Sequence, residues 1–259
     1  MDQNHRKYKT PLPSIPKYLP ITEIPENPKF TGIFTGNEII VTSQDEIKEL
    51  YNCGCFGNSS QFQKEFVNER YYELVEGINR DEVNDKNKRG IGINVVNENL
   101  SLFLEEAFFL NFSLKILKIL DEAGNEIGSD DFLLQCINVK PDFVSCFVSY
   151  HYFRAKNWVV KSGINFGSDF LLYKLGPQFY HSQYMVKVKK SKGHSEKFPS
   201  KELLGWYRIS ETSKKECLLI DVIFPQNITN PIELIRKLSD FKVDVITFKR
   251  YNPWKSKLK

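Results

Sequence analysis

Residues 163–184 read GINFGSDFLLYKLGPQFYHSQY. Two glycines, a short aromatic-rich run, a Gly-Pro turn and a histidine crowd into a span too compact for ordinary core. DFLLY predicts a strand ending at Tyr173, GPQFY a turn, and SQYMVKV a returning strand. His181 follows Tyr173 by eight positions, enough for a loop that brings the chain back beside its own strand end. The two side chains then converge on one small group, a phosphate for instance. The plainer reading, a tyrosine packed at a strand end and a surface histidine, stands beside it.

Working outward, WVVKSG precedes this run as a further strand, and the helical intervals of Phe143, Phe147, Tyr150 and Arg154 in DFVSCFVSYHYFRAKNW predict a helix before it. Pro141 suits its first position and Asn157 a left-handed end. Downstream come a helix over 201–209, a buried strand CLLIDVIF, a helix from an Asn230 cap to Leu238, and a closing strand VDVITF. Strands alternating with helices over 140–259 predict a compact α/β unit.

Residues 29–139 read as a separate α/β domain. A hairpin is expected over Phe30–Thr42, turning at Gly36-Asn37, then a helix capped by Ser43 with Glu46 closing a capping box and Ile47, Leu50 and Tyr51 inward. A second helix is expected over 61–75 and a charged surface linker over 76–90. The spacing of Leu104, Phe108, Phe112, Ile116 and Ile119 predicts one buried helix over 100–120, and 132–137 a further short element. Residues 1–28 hold six of the twelve prolines and read as an extended tail.

The net charge of +4 is too small to announce a nucleic-acid binder, but its distribution is uneven. Lys187, Lys189, Lys190, Lys192, Lys197 and Lys201 face a single acid, Glu196, within 187–201. Such a stripe suits a polyanion, whose phosphates release counterions on contact. A solvated loop explains it as well. The five cysteines lack zinc-like spacing and read as reduced thiols in an intracellular protein. No apolar run reaches the length of a membrane span.

Among four histidines, His5 lies in the tail, His194 in the lysine loop and His151 within the aromatic helix. A metal-dependent phosphodiesterase needs clustered carboxylates. Asp169 is one, yet no acid follows it until Glu196, so no metal site is expected. RNA offers another route, because its own 2′-hydroxyl can attack the adjacent phosphate. A histidine, a second proton-transfer group and a cation suffice, and Tyr173, His181 and Lys215 supply those types.

Here the residues resemble a known family, the catalytic subunits of tRNA-splicing endonucleases. The likeness is strongest over YHYFRAKNWVVKSGINFGSDFLLYKLGPQFYHSQYMVKV and continues through YRISETSKKECLLI; LEEAFFL and FTGIFTGNEIIVTSQDEIKELYNCGCFG carry it more weakly. It leans toward the eukaryotic 5′-splice-site type over the 3′ type. It implies an N-terminal α/β domain and a C-terminal nuclease domain with a mixed sheet flanked by helices. It also implies Tyr173 as general base, His181 as general acid and Lys215, rather than Lys214, as the cation on the phosphorane. No cofactor is expected. Further implications are precursor tRNA as substrate, a heterotetramer with structural and second catalytic subunits, pairing through VDVITF and the tail KRYNPWKSK, and a nuclear location. Arg154 and Trp158 are candidates to clamp a flipped base, and Lys187 and Lys189 to touch the RNA backbone. Asn165 stands where relatives commonly have Lys in a GLKYG-like motif. A non-catalytic RNA-binding or scaffold subunit is the competing class.

Overall fold

The computed structural model describes residues 28–58, 99–174, 176–177, 181–189, 200–226 and 228–248. The expected tail, the helix over 61–75, the linker over 76–90, the C-terminal KRYNPWKSK, His5, His194, the Cys53 side chain and lysines 190, 192 and 197 lie outside them. Backbone contacts divide the chain into two units, Met1–Phe132 with Leu175–His181 and Leu133–Lys174 with Ser182–Lys259.

In the first unit β1 (Phe30–Phe34) and β2 (Glu38–Val41) form the expected hairpin, with Gly36 at φ 96°. β3 (Leu100–Phe103) adds antiparallel to β2, and β4 (Leu117–Leu120) parallel to β1, giving the order β3-β2-β1-β4. α1 (Gln44–Gly54) buries Ile47, Leu50 and Tyr51 as its spacing requires. Its N-cap is Ser43, but no side-chain cap bond forms. The expected capping box is replaced: the Glu46 carboxylate turns to β1 and accepts from the Thr31 N–H at 2.8 Å.

The single helix expected over 100–120 does not form. Leu100 and Leu102, then Leu117 and Ile119, alternate buried with half-buried neighbours, and that period of two makes them strands. Between them the helix-spaced residues fill only α2 (Leu104–Phe108) and a π turn over Phe109–Ser113. Lys115 at φ 56° then turns the chain into β4. The element expected over 132–137 is part of α3 (Ser129–Val139), whose Phe132 meets Phe34 edge-on.

The second unit holds β5 (Val159–Ser162), β6 (Phe170–Tyr173), β7 (Tyr184–Val188), β8 (Glu216–Ile223) and β9 (Lys242–Phe248), in that spatial order. Only β7 and β8 run parallel, so the sheet is mixed. α4 (Phe143–Ala155) covers one face, with Tyr150 edge-on to Phe170. Its N-cap is Asp142, which puts Pro141 just outside the helix, not at its first turn. At its other end Asn157 takes φ 62° as expected. The Trp158 N–H reaches the Phe153 carbonyl at 3.0 Å and the Asn157 N–H that of Arg154 at 2.9 Å, a Schellman ending. α5 (Ser200–Thr212) covers the opposite face with Leu203 and Trp206. α6 (Pro231–Arg236) is capped by the Asn230 side chain, which accepts from the Ile232 N–H at 3.0 Å.

One carboxylate pins this sheet. Asp169 Oδ2 accepts from the Val188 N–H at 2.8 Å while Oδ1 holds Lys187 Nζ at 3.2 Å, both side chains largely covered. Removing one partner of a covered ion pair strands the other charge. Asp169→Ala is therefore expected to destabilise the full chain by about 2–3 kcal/mol, measured by urea unfolding; a change below ~0.5 kcal/mol would show that the pair does not hold the strands together.

Candidate active site

Side chains two apart on a strand share a face, and the register decides which strands contribute to each row. Leu171 pairs with Met185 and Met185 with Cys217, and these three pack as one buried row beneath α5. Continuing toward the end of the sheet, the Gln183 N–H bonds the Leu172 carbonyl at 2.8 Å and the Glu216 N–H the Gln183 carbonyl at 3.1 Å. The next row on the same face is therefore Tyr173, Gln183 and Lys215. Tyr173 and Lys215 are two strands apart, about 10 Å between backbones, which leaves room for a phosphodiester between their tips.

The end of α5 aims Lys215. Its last turn closes with the Lys215 N–H on the Ser210 carbonyl at 2.9 Å and the Lys214 N–H on that of Glu211 at 3.1 Å, Lys214 taking φ 54°. The left-handed turn leaves Lys214 exposed and carries Lys215 half-buried into the sheet. Lys215 Nζ sits 4.5 Å from the centroid of the Phe166 ring and 3.3 Å from the Ser213 carbonyl oxygen.

Tyr173 is half-buried against the same apolar row. Burial pushes its phenol above the ordinary value, and a hydrogen bond with the Ser182 hydroxyl opposes that rise. His181 stands immediately before Ser182, exposed, on the chain entering β7. Backbone contacts group it with the first unit, so the row above consists of Tyr173, Gln183 and Lys215.

The other sequence candidates lie elsewhere. Arg154 Nε donates to Tyr150 Oη at 2.8 Å, with the guanidinium 5.4 Å from that ring, and Trp158 meets Tyr184 edge-on at 5.4 Å. Both belong to the α4 face, opposite the Tyr173 row, because Tyr184 is one residue out of phase with Gln183. Lys187 is held by Asp169 and lies over Trp206, and Lys189 Nζ bonds Asp221 Oδ2 at 2.9 Å with 8% of the residue exposed. These two lysines are engaged across strands by carboxylates.

Asp169 serves the strands, and among the described residues no three His, Cys, Asp or Glu side chains cluster as a metal would require. His151 is half-buried beside Phe147, and burial lowers its pKa. Cys55, Cys136, Cys146 and Cys217 are buried, reduced thiols. Burial raises Cys217 to about 11 against the opposing charge of Lys187.

Ser182, Gln183 and Phe166 had not been singled out from sequence. Ser182 and Gln183 were legible only through the register, whereas Phe166 carried a signal of its own: a lone aromatic bracketed by Gly163 and Gly167 beside a charged strand end. Because the Ser182 hydroxyl favours the phenolate, Ser182→Ala is expected to raise the Tyr173 pKa further, seen as a later titration of its Cζ resonance by NMR. An earlier titration would contradict the hydrogen bond.

A family model described as the tRNA intron endonuclease catalytic C-terminal domain matches residues 143–229, and one for the tRNA intron endonuclease N-terminal domain matches 30–133. Tyr173, His181 and Lys215 all fall within the first. The tRNA-splicing endonuclease subunit Sen2 of Rattus norvegicus is 40% identical over 139 residues, covering 51% of this chain and 30% of that protein. Subunit Sen2-1 of Arabidopsis thaliana is 28% identical over 222 residues, 86% of this chain and 81% of that protein. Subunit SEN2 of Saccharomyces cerevisiae is 40% identical over 90 residues, 34% of this chain and 23% of that protein. The chain thus spans under a third of the length of the rat and yeast relatives.

Proposed function

The chain belongs to the tRNA intron endonuclease family, and on that footing we propose that it is a catalytic subunit of a tRNA-splicing endonuclease, cutting precursor tRNA at the 5′ splice site. One observation carries the proposal. Tyr173 and Lys215 share a row at one end of the sheet, and the chain enters that row's central strand directly after His181. The 5′ assignment follows the likeness to subunits named Sen2.

In the proposed reaction the 2′-oxygen bonds to phosphorus as the P–O5′ bond breaks. The 2′-hydroxyl proton passes to the Tyr173 oxygen and the His181 imidazolium protonates the departing 5′-oxygen. Lys215 offsets the negative charge that collects on the phosphorane oxygens. The products are a 2′,3′-cyclic phosphate and a 5′-hydroxyl.

The raised phenol sets the pH behaviour. Its phenolate, the form that accepts the 2′-hydroxyl proton, is therefore scarce at neutral pH. The population that carries phenolate together with imidazolium is constant between the two pKa values, and a raised phenol makes it smaller. Water exclusion and alignment must supply the remaining acceleration.

In assembly, we take the outer side of β9 as the place where another subunit adds. β9 ends the sheet order, and Val245 and Ile246 on it are 38% and 54% exposed. A heterotetramer with structural and second catalytic subunits, and a nuclear location, belong to the same reading.

The test is cleavage of an intron-containing precursor by the complex containing the full chain. His181→Ala is expected to reduce the single-turnover rate at the 5′ exon boundary by at least about 100-fold, with cleavage by the unaltered complex persisting in excess EDTA. A wild-type rate in the variant, or a 5′-phosphate on the product, overturns the mechanism. A scaffold subunit would be indifferent to Tyr173, His181 and Lys215. The rate of the unaltered complex is expected to be flat from about pH 7 to 9, whereas the residual rate of His181→Ala rises tenfold per pH unit over that range. A profile for the variant that stays level means Tyr173 does not accept the proton as phenolate.

A further inference from the structure

We propose that Phe166 is a positioning residue for the reaction, holding the Lys215 ammonium in place through the face of its ring; this rests on the reading of Lys215 given above. A lysine on four rotatable bonds loses considerable rotamer freedom when it is fixed, so a lysine that must meet a transient charge needs something to hold it beforehand.

Phe166 closes the short 3-10 turn Ile164–Phe166 between β5 and β6. The turn is built rigidly. The Phe166 N–H bonds the Gly163 carbonyl at 2.8 Å, and the Ser168 N–H and Oγ both reach that same oxygen at 3.2 Å. Gly163 admits no side chain, since a Cβ there would stand 2.2 Å from Ser168 Oγ and 2.9 Å from the Ser168 carbonyl oxygen. Gly167 at φ 63° turns the chain back into β6. Ile164 and Asn165 consequently face outward, while Phe166 packs on the Leu171–Met185–Cys217–Leu219 cluster.

Tyr173 packs on the same cluster. The ring that meets Lys215 Nζ at 4.5 Å is thereby fixed to the surface that carries the other member of the row. The Ser213 carbonyl at 3.3 Å supplies a second contact at the end of α5. An aromatic face attracts an ammonium through its quadrupole without cancelling its charge, so the positive charge remains available to the phosphorane. Donors arranged before the charge develops need no reorganisation when it does.

The experiment is single-turnover cleavage by the complex containing the full chain, with KM and thermal midpoint measured alongside. Phe166→Leu is expected to lower the rate by about threefold to thirtyfold with KM little changed, and Phe166→Tyr to restore most of it. In a Lys215→Ala background, Phe166→Leu should cost nothing further, because the ring acts only through the lysine. Equal losses from Phe166→Leu with and without Lys215, or a wild-type rate in Phe166→Leu while Lys215→Ala is impaired, overturn the proposal. A wild-type rate in Lys215→Ala removes the catalytic reading of the lysine itself, and the proposal with it. Should Phe166→Leu fail to fold, pentafluorophenylalanine at 166 keeps the size of the ring and removes its attractive face; an unchanged rate in that variant overturns the proposal equally.

Discussion

Everything in the second unit depends on the register of three short strands. β6 and β7 pair antiparallel, β7 and β8 pair parallel, and the backbone bonds through Gln183 carry this alignment to the end of the sheet. A slip of one residue in β7 would turn Met185 and Gln183 to the α4 face and set Tyr184 and Val186 beneath α5. The Asp169 carboxylate, bonding both Lys187 and the Val188 backbone, guards against that slip from the opposite end. A parallel pair also needs a crossover, and α5 lies in that connection, so the helix whose last turn presents Lys215 exists because β7 and β8 run the same way.

The two faces of the sheet divide the labour. Beneath α4 the contacts are apolar and aromatic, with the Arg154 guanidinium on Tyr150 and Trp158 on Tyr184. Beneath α5 three successive rows pass from an ion pair, Asp169 with Lys187, through Leu171, Met185 and Cys217, to Tyr173, Gln183 and Lys215. Apolar packing in the middle row shields both neighbours from water. That shielding raises the Tyr173 phenol and lets Phe166 hold an ammonium in a drier setting than open solvent, where such contacts are stronger.

Much of the fold was readable because local rules and global packing agreed. The β1–β2 hairpin, the left-handed Asn157, the Asn230 cap and the strands of the second unit all follow from turn chemistry and alternation. Residues 100–120 are ambiguous in sequence because their apolar residues satisfy a helical spacing and a strand spacing at once. Pairing with β2 and β1 selected the strands, and only Leu104–Phe108 with the π turn remained helical. Glu46 has the spacing of a capping box, but the N–H of Thr31, fifteen residues away in sequence, is invisible to local reasoning.

By itself the sequence determined which groups are at hand for chemistry: a phenol at a strand end, a histidine after a Gly-Pro turn, and a lysine ahead of a buried strand. Those depend on residue type and local turns, which are encoded nearby. The tertiary structure decided which of them share a face. Cross-strand register set Tyr173 and Lys215 in one row, with Gln183 between them and Ser182 bonded to the phenol, while sending Arg154 and Trp158 to the opposite side and engaging Lys187 and Lys189 with Asp169 and Asp221. Whether a lysine meets a solvent polyanion or a neighbouring carboxylate depends on which strand it pairs with, a long-range choice that no window of sequence contains.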